Sequence, residues 1–218
     1  MRIKLFCLFT FLLCLFTLGI VKANTLPLLG KVIYLDPGHG GADPGALWED
    51  LHEADINLQL SLKIEKVLTE SGAIVYLTRY GDYDLSVKNA IHRKRSDLSR
   101  RANIINRSQA DLYLAIHLNA DTSTTWHGAQ VFFDPVCEEN EVIAKYLQEQ
   151  FSTDLNTNRE FKQIKGQYMY KRIEVPGVLI EAGFITNKNE RYLLKQESYQ
   201  DKIAVSIQKG IIKYFTDN

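Results

Sequence analysis

Three short apolar runs in this chain each break at a side chain able to do chemistry. They are Lys31-Val-Ile-Tyr-Leu-Asp36-Pro-Gly-His39-Gly-Gly41, Asp111-Leu-Tyr-Leu-Ala-Ile116-His117-Leu-Asn119-Ala120 and Gly177-Val-Leu-Ile180-Glu181-Ala-Gly183. A brief apolar run closed by turn residues reads as a buried strand, and a parallel sheet buried on both faces needs strands of that kind. In open α/β sheets, ligands bind outside the carboxyl ends of the strands. Two histidines and a carboxylate therefore occupy equivalent places, and they are expected to converge on one cleft although the sequence scatters them.

The segments between these strands change period. Ile56, Leu60, Ile64, Val67 and Leu68 recur at helical spacing until Ser71-Gly72 supplies a stop, so strand, glycine loop and helix open a βαβ unit. Ala73 to Thr78 reads as the next strand. Arg79 to Ser96 is polar and too long for an ordinary connection, which suggests a surface excursion near the site. A helix from Asp97 to Ser108 follows, then strands at Leu112 to Ile116 and Ala129 to Phe133. A helix over Glu138 to Leu155 carries Ile143, Leu147 and Phe151 on one stripe. Tyr168 to Ile173 reads as an edge strand, Gly177 to Glu181 as a central one, and Ile203 to Phe215 as a closing helix. Strands alternating with helices, without internal repeats, predict a three-layer α/β sandwich with a mainly parallel sheet of about six strands flanked by helices.

The first residues stand apart from that pattern. Arg2 and Lys4 precede an uncharged apolar run from Leu5 to Val21, and Val21-Lys22-Ala23 offers the small residues that a signal peptidase reads. Residues 1–23 are expected to be a leader cleaved after Ala23, or an N-terminal anchor if uncleaved, leaving 24–218 as a single domain. Membrane contact is expected only in the uncleaved case, since the run is slightly short for an ordinary span of ~20 residues. Without the leader, 23 basic residues stand against 26 acidic ones, so the electrostatic footprint for nucleic acid is absent. A local basic patch remains at Arg93-Lys94-Arg95 and Arg100-Arg101. Cys7 and Cys14 fall in the leader, which leaves Cys137 without a disulfide partner in the mature chain.

A hydrolytic zinc site takes three protein ligands and keeps one position for water, and two histidines with one carboxylate is a known set. His39, His117 and one acid are the candidates. Glu49, Asp50, Glu53 and Asp55 crowd the start of the first helix, and spacing alone does not choose among them. Glu53 is favoured because it lies in the first turn with Ile56 and Leu60 facing inward. The same acids also complement the positive end of the helix dipole. His39 could instead cap a turn or bind an anion through loop amides, and His117 could be a satisfied core histidine. Glu181, projecting from a buried strand, is expected to have a raised pKa and to act as a general base. Glu174, before Pro176, reads as solvated, and His52, His92 and His127 are not candidate ligands. No Gly-x-Ser-x-Gly elbow and no phosphate-loop ending are present.

Four ordered segments carry a resemblance: Asp36-Pro-Gly-His39-Gly-Gly-Ala-Asp43-Pro-Gly45, Glu53-Ala-Asp-Ile-Asn57-Leu58, Ile116-His117-Leu-Asn119-Ala120 and Glu181-Ala-Gly-Phe184-Ile-Thr-Asn187. Together they resemble the signature segments of the zinc-dependent N-acetylmuramoyl-L-alanine amidases of bacterial cell-wall metabolism. The resemblance implies that His39, Glu53 and His117 bind Zn2+ and that Glu181 is the catalytic acid/base. Ala115 replaces a serine often seen two residues before the second histidine, a departure that touches no ligand. Trp126-His-Gly-Ala-Gln130, Asn156-Thr-Asn-Arg159 and Glu174-Val-Pro-Gly177 look like the sporulation branch, which strips peptide from muramic acid in spore cortex on the way to muramic-δ-lactam. The implied partners are peptidoglycan glycan strands with stem peptides, a deacetylase acting downstream and an activating helper protein. The implied place is outside the cytoplasm, in the cell wall or the forespore intermembrane space. The rival readings are a zinc peptidase, a carbohydrate deacetylase on peptidoglycan, and a non-catalytic wall-binding module.

Overall fold

The computed structural model describes residues 26–49 and 51–218, so the expected leader and its expected cleavage point lie outside the described residues, as does Asp50. The elements run β1 (Val32–Pro37), a small hairpin of β2 (Leu47–Trp48) and β3 (Leu51–His52), α1 (Glu53–Glu70), β4 (Ile74–Leu77), α2 (Arg93–Arg107) and β5 (Leu112–Asn119). They continue through β6 (Gln130–Phe133), α3 (Glu139–Asp154), β7 (Lys162–Gln163), a single 3-10 turn at Tyr170–Arg172, β8 (Gly177–Phe184), α4 (Lys188–Leu194) and α5 (Glu197–Asp217).

Six strands form one sheet in the order β4-β1-β5-β8-β6-β7. The four at β4, β1, β5 and β8 are mutually parallel, while β6 runs antiparallel to β8 and parallel to the short edge strand β7. The mainly parallel α/β sandwich expected from the sequence is therefore the observed one. β5 and β8 sit at the centre of the sheet, covered on both faces, which is why Leu112 to Ile116 and Val178, Ile180 and Ala182 are uniformly apolar and buried.

The two faces are covered unequally. On one, α1, α3 and α5 bury Leu60, Ile64, Leu147, Phe151, Ile203, Ile207 and Ile211 against Ile33, Leu35, Leu114, Ile116 and Ile180. On the other, α2 lays Ala102 and Ile105 over Tyr113 and Ala115, and the stretch from Met169 to Val175 fills the remainder. That stretch corrects one expectation: Tyr168 to Ile173 is not a strand. Its apolar residues Met169, Tyr170 and Ile173 do not alternate, and burying all three on one face requires a turn. An edge strand falls instead at Lys162–Gln163. The closing helix begins at Glu197, six residues before the expected Ile203, and α4 precedes it, capped by Asn187, whose side chain accepts from the Asn189 and Glu190 amides.

Candidate active site

β1 ends in Asp36-Pro37, and the chain then turns sharply through Gly38 and His39. His39 is held at φ 63°, a left-handed conformation that costs energy in any residue but glycine. Two buried arginines impose it. Arg101, 1% exposed, donates to Asp36 Oδ1 (2.8 Å), to the Pro37 carbonyl (2.8 Å) and to the His39 carbonyl (2.6 Å), with Asp97 Oδ2 at 3.0 Å from its Nε. Arg79, also 1% exposed, donates to the carbonyls of Pro37, Gly38 and Ala54. Gly38 leaves no room for a side chain, since a Cβ there would stand 2.2 Å from the His117 ring.

Glu53 begins α1, and the fold places it 4% exposed between the two histidines. Its Oε2 lies 3.2 Å from His39 Nε2 and its Oε1 lies 3.0 Å from His117 Nδ1. The backbone amides of Ala46 (2.9 Å) and Leu118 (3.1 Å) and the side-chain amide of Asn57 (3.2 Å) donate to the same carboxylate. Burial opposes its ionisation, but the hydrogen bonds from His117 and His39 outweigh burial and hold the carboxyl well below the usual carboxylate range. One donor atom each from His39, Glu53 and His117 falls within 4.8 Å of the others, a set that could hold a metal ion. His39 Nδ1 faces Asp43 Oδ2 at 3.1 Å, which orients the ring and leaves Nε2 towards Glu53.

Of the acids at the helix start, Glu53 is the one that stands between His39 and His117 among the described residues. Glu49 reaches towards Arg191 and Asp55 towards His52, away from the cluster. His52 and His92 are the residues just before α1 and α2, and neither joins the metal-capable set. Glu174 is exposed, as expected.

Glu181 is the β8 partner of His117 in the ladder, so the two side chains stand beside each other on one face of the sheet. Both line a cleft of about 260 Å³ together with His39, Asp43, Lys94 and Tyr170. Glu181 Oε2 is buried without a hydrogen-bond partner among the described residues, and burial pushes the carboxyl up to about 7. The cleft thus pairs a metal-capable set with an unsatisfied proton acceptor.

Sequence reasoning missed Arg79 and Arg101. The sequence puts Arg79 in the polar excursion and Arg101 in the local basic patch, whereas both are buried under the glycine loop. The i,i+4 pair Asp97–Arg101 is the one local signal that could have separated Arg101 from its neighbours. Of the patch, Lys94 does reach the cleft, its Nζ 3.3 Å from Asp43; Arg93 pairs with Asp84, and Arg95 with Tyr168.

Residues 33–213 match the family model described as N-acetylmuramoyl-L-alanine amidase. The chain is 47% identical over 200 residues to the germination-specific N-acetylmuramoyl-L-alanine amidase of Bacillus subtilis (strain 168), covering 90% of this chain and 84% of that protein. It is 32% identical to the N-acetylmuramoyl-L-alanine amidase LytC of the same organism, covering 88% of this chain but only 38% of that longer protein. Among solved structures, the CwlD amidase of Clostridioides difficile, determined in complex with the GerS lipoprotein, superposes with a TM-score of 0.83 at 38% identity, over 87% of this chain and 100% of that one. The catalytic domain of CwlV from Bacillus (Paenibacillus) polymyxa gives 0.75 at 26% identity, over 86% and 99%. The match of residues 33–213 to the family model, with 47% identity to a relative covered over 84% of its length, makes the chain a member of the N-acetylmuramoyl-L-alanine amidase family.

Proposed function

We propose that the chain is a zinc-dependent amidase that hydrolyses the bond between the lactyl group of muramic acid and the L-alanine of peptidoglycan stem peptides, in spore cortex, on the way to muramic-δ-lactam. The observation that carries the chemistry is the convergence of His39, Glu53 and His117 within 4.8 Å, with His39 and His117 lining the cleft that Glu181 also lines. The assignment to cortex is supported by the 47% identity to a protein named germination-specific.

Two imidazoles and a carboxylate suit zinc, and the second hydrogen bonds fit ligand roles: Asp43 orients His39, while amides of Ala46, Leu118 and Asn57 orient Glu53. His39 Nε2, a Glu53 oxygen and His117 Nδ1 would hold the ion. Bound zinc supplies Lewis acidity towards water and towards the amide carbonyl. Glu181 receives the proton of the attacking water on its unpaired oxygen and returns it to the departing L-alanine nitrogen. Lys94, at the mouth of the cleft, offers a cation to an anionic stem peptide.

Residues 24–218 form one catalytic domain in this reading, exported behind a leader cleaved after Ala23 and working in the cell wall or forespore intermembrane space. No described helix is long and apolar enough to cross a membrane. An accessory protein and a downstream deacetylase complete the setting; the Clostridioides difficile neighbour's complex with a lipoprotein supports the first.

Digestion of spore-type and vegetative peptidoglycan, with and without chelator, tests the reading by mass spectrometry of the products. Free stem peptide beside an N-acetylated glycan is expected, and only without chelator. Acetate release would replace the amidase with a deacetylase, cleavage inside the stem peptide with a peptidase, and no chelator-sensitive product with a wall-binding module.

A further inference from the structure

Two sequence segments outside the metal-binding set meet at the top of the sheet. Trp126 to Gln130 leads into β6, Asn156 to Phe161 leads into β7, and between them lies a depression of about 590 Å³. That volume falls within the roughly 300–1,000 Å³ of small-molecule sites. The depression borders the catalytic cleft directly. Gln130, which lines it, is the β6 ladder partner of Glu181, which lines the other, so the two side chains are neighbours on one face of the sheet.

The walls are built rather than incidental. Arg159 Nε donates to the His127 carbonyl (2.8 Å) and its Nη1 to Gln130 Oε1 (2.9 Å), while Gln130 Nε2 donates to the Glu160 carbonyl (2.8 Å). The Arg159 guanidinium lies against both Phe184 (4.5 Å) and Trp126 (5.3 Å). Gly128, at φ 97°, brings the loops together so closely that a Cβ would stand 2.3 Å from Thr157 Oγ1. Glu190 anchors the base by accepting from the amides of Gly128 and Phe184.

An indole held in place from one side yet 53% exposed is an open platform at the rim of this depression. Arg159 commits Nε and Nη1 to internal acceptors, which fixes its guanidinium against the indole. What remains for a ligand is a flat aromatic face edged by side chains of both signs and neutral amides: Asn158, Glu160, Lys162. A pyranose ring answers that description, with a face of C–H bonds to lie on the electron-rich indole and hydroxyl and N-acetyl groups for the polar edge.

We propose that this depression is a saccharide subsite that holds a glycan-strand sugar next to the muramic acid whose amide is cut, stacked on Trp126. The subsite rests on the amidase reading for its position along the substrate, but not for its ability to bind a sugar.

The test compares two substrates, a peptide-bearing glycan tetrasaccharide and a single N-acetylmuramoyl-peptide. Trp126→Ala is expected to lower kcat/KM on the first relative to the second about ten-fold, the scale of one lost stacking contact, and to do so through KM. Trp126→Phe should restore most of it. An equal loss on both substrates, or no loss, overturns the proposal. Calorimetry with chitotetraose provides a readout that needs no turnover: binding should weaken about ten-fold in Trp126→Ala, and binding indifferent to that change also overturns it. If wild-type protein cleaves no amide yet binds chitotetraose through Trp126, the amidase reading fails and the saccharide site stands.

Discussion

A buried carboxylate oxygen without a partner is costly, and Glu181 carries one on the rung beside His117. Glu181→Gln keeps the shape and removes the proton acceptor. Turnover of peptidoglycan should fall by about 10²–10⁴, the usual contribution of a general acid/base, while zinc content measured by atomic spectroscopy stays near one per chain. His117→Ala should lose zinc and turnover together. Full cleavage by the glutamine variant would remove Glu181 from the mechanism. The choice of Glu53 also belongs at this scale. Four acids crowd the helix start in the sequence, and only the fold shows that Glu53 receives Ala46 and Leu118 amides from two different segments.

At the scale of elements, α2 is joined to the end of β1 by one buried side chain. Arg101 satisfies Asp36, Asp97 and two carbonyls of the glycine loop at once. Arg101→Met would strand two buried carboxylates, with an expected loss of about 3–5 kcal/mol read from the urea midpoint. The segment ahead of α2 has a weaker tie. Burial opposes ionisation of Asp84, yet hydrogen bonds from Ser86 and Arg93 prevail and hold its carboxyl at about 2. Because that value is below the unfolded one, the stabilisation is fully present above about pH 4 and is lost as pH falls towards 2. The difference in urea midpoint between wild type and Asp84→Asn should therefore narrow between pH 5 and 3, and a gap that widens would contradict the assignment. Strands and amphipathic helices were legible here because burial imposes periodicity. The turn at Tyr170–Arg172 was not, because Met169, Tyr170 and Ile173 bury with Ala102 and Ile105 of α2, a neighbour the local sequence does not reveal.

For the whole molecule, the metal-capable set joins three elements far apart in sequence: the loop after β1, the start of α1, and β5. A ligand that binds only the folded state stabilises it by mass action, about 4 kcal/mol at a free concentration a thousand times Kd. Zinc should raise Tm, chelator should lower it, and His117→Ala should respond to neither; a wild-type Tm indifferent to chelator would argue against a site of this affinity. What the amino-acid order determined by itself was the alternation of buried strands and one-sided helices, hence the layered α/β class, and the placing of His39, His117 and Glu181 at strand ends, because burial and hydrogen bonding write those periods into neighbouring residues. Which acid meets the two histidines, that Arg79 and Arg101 lie under the loop instead of on a basic surface, and that Arg159 lies against Trp126 in a depression one strand from Glu181 were decided only by tertiary packing. Each depends on distances between residues remote in the chain, and no local pattern encodes those.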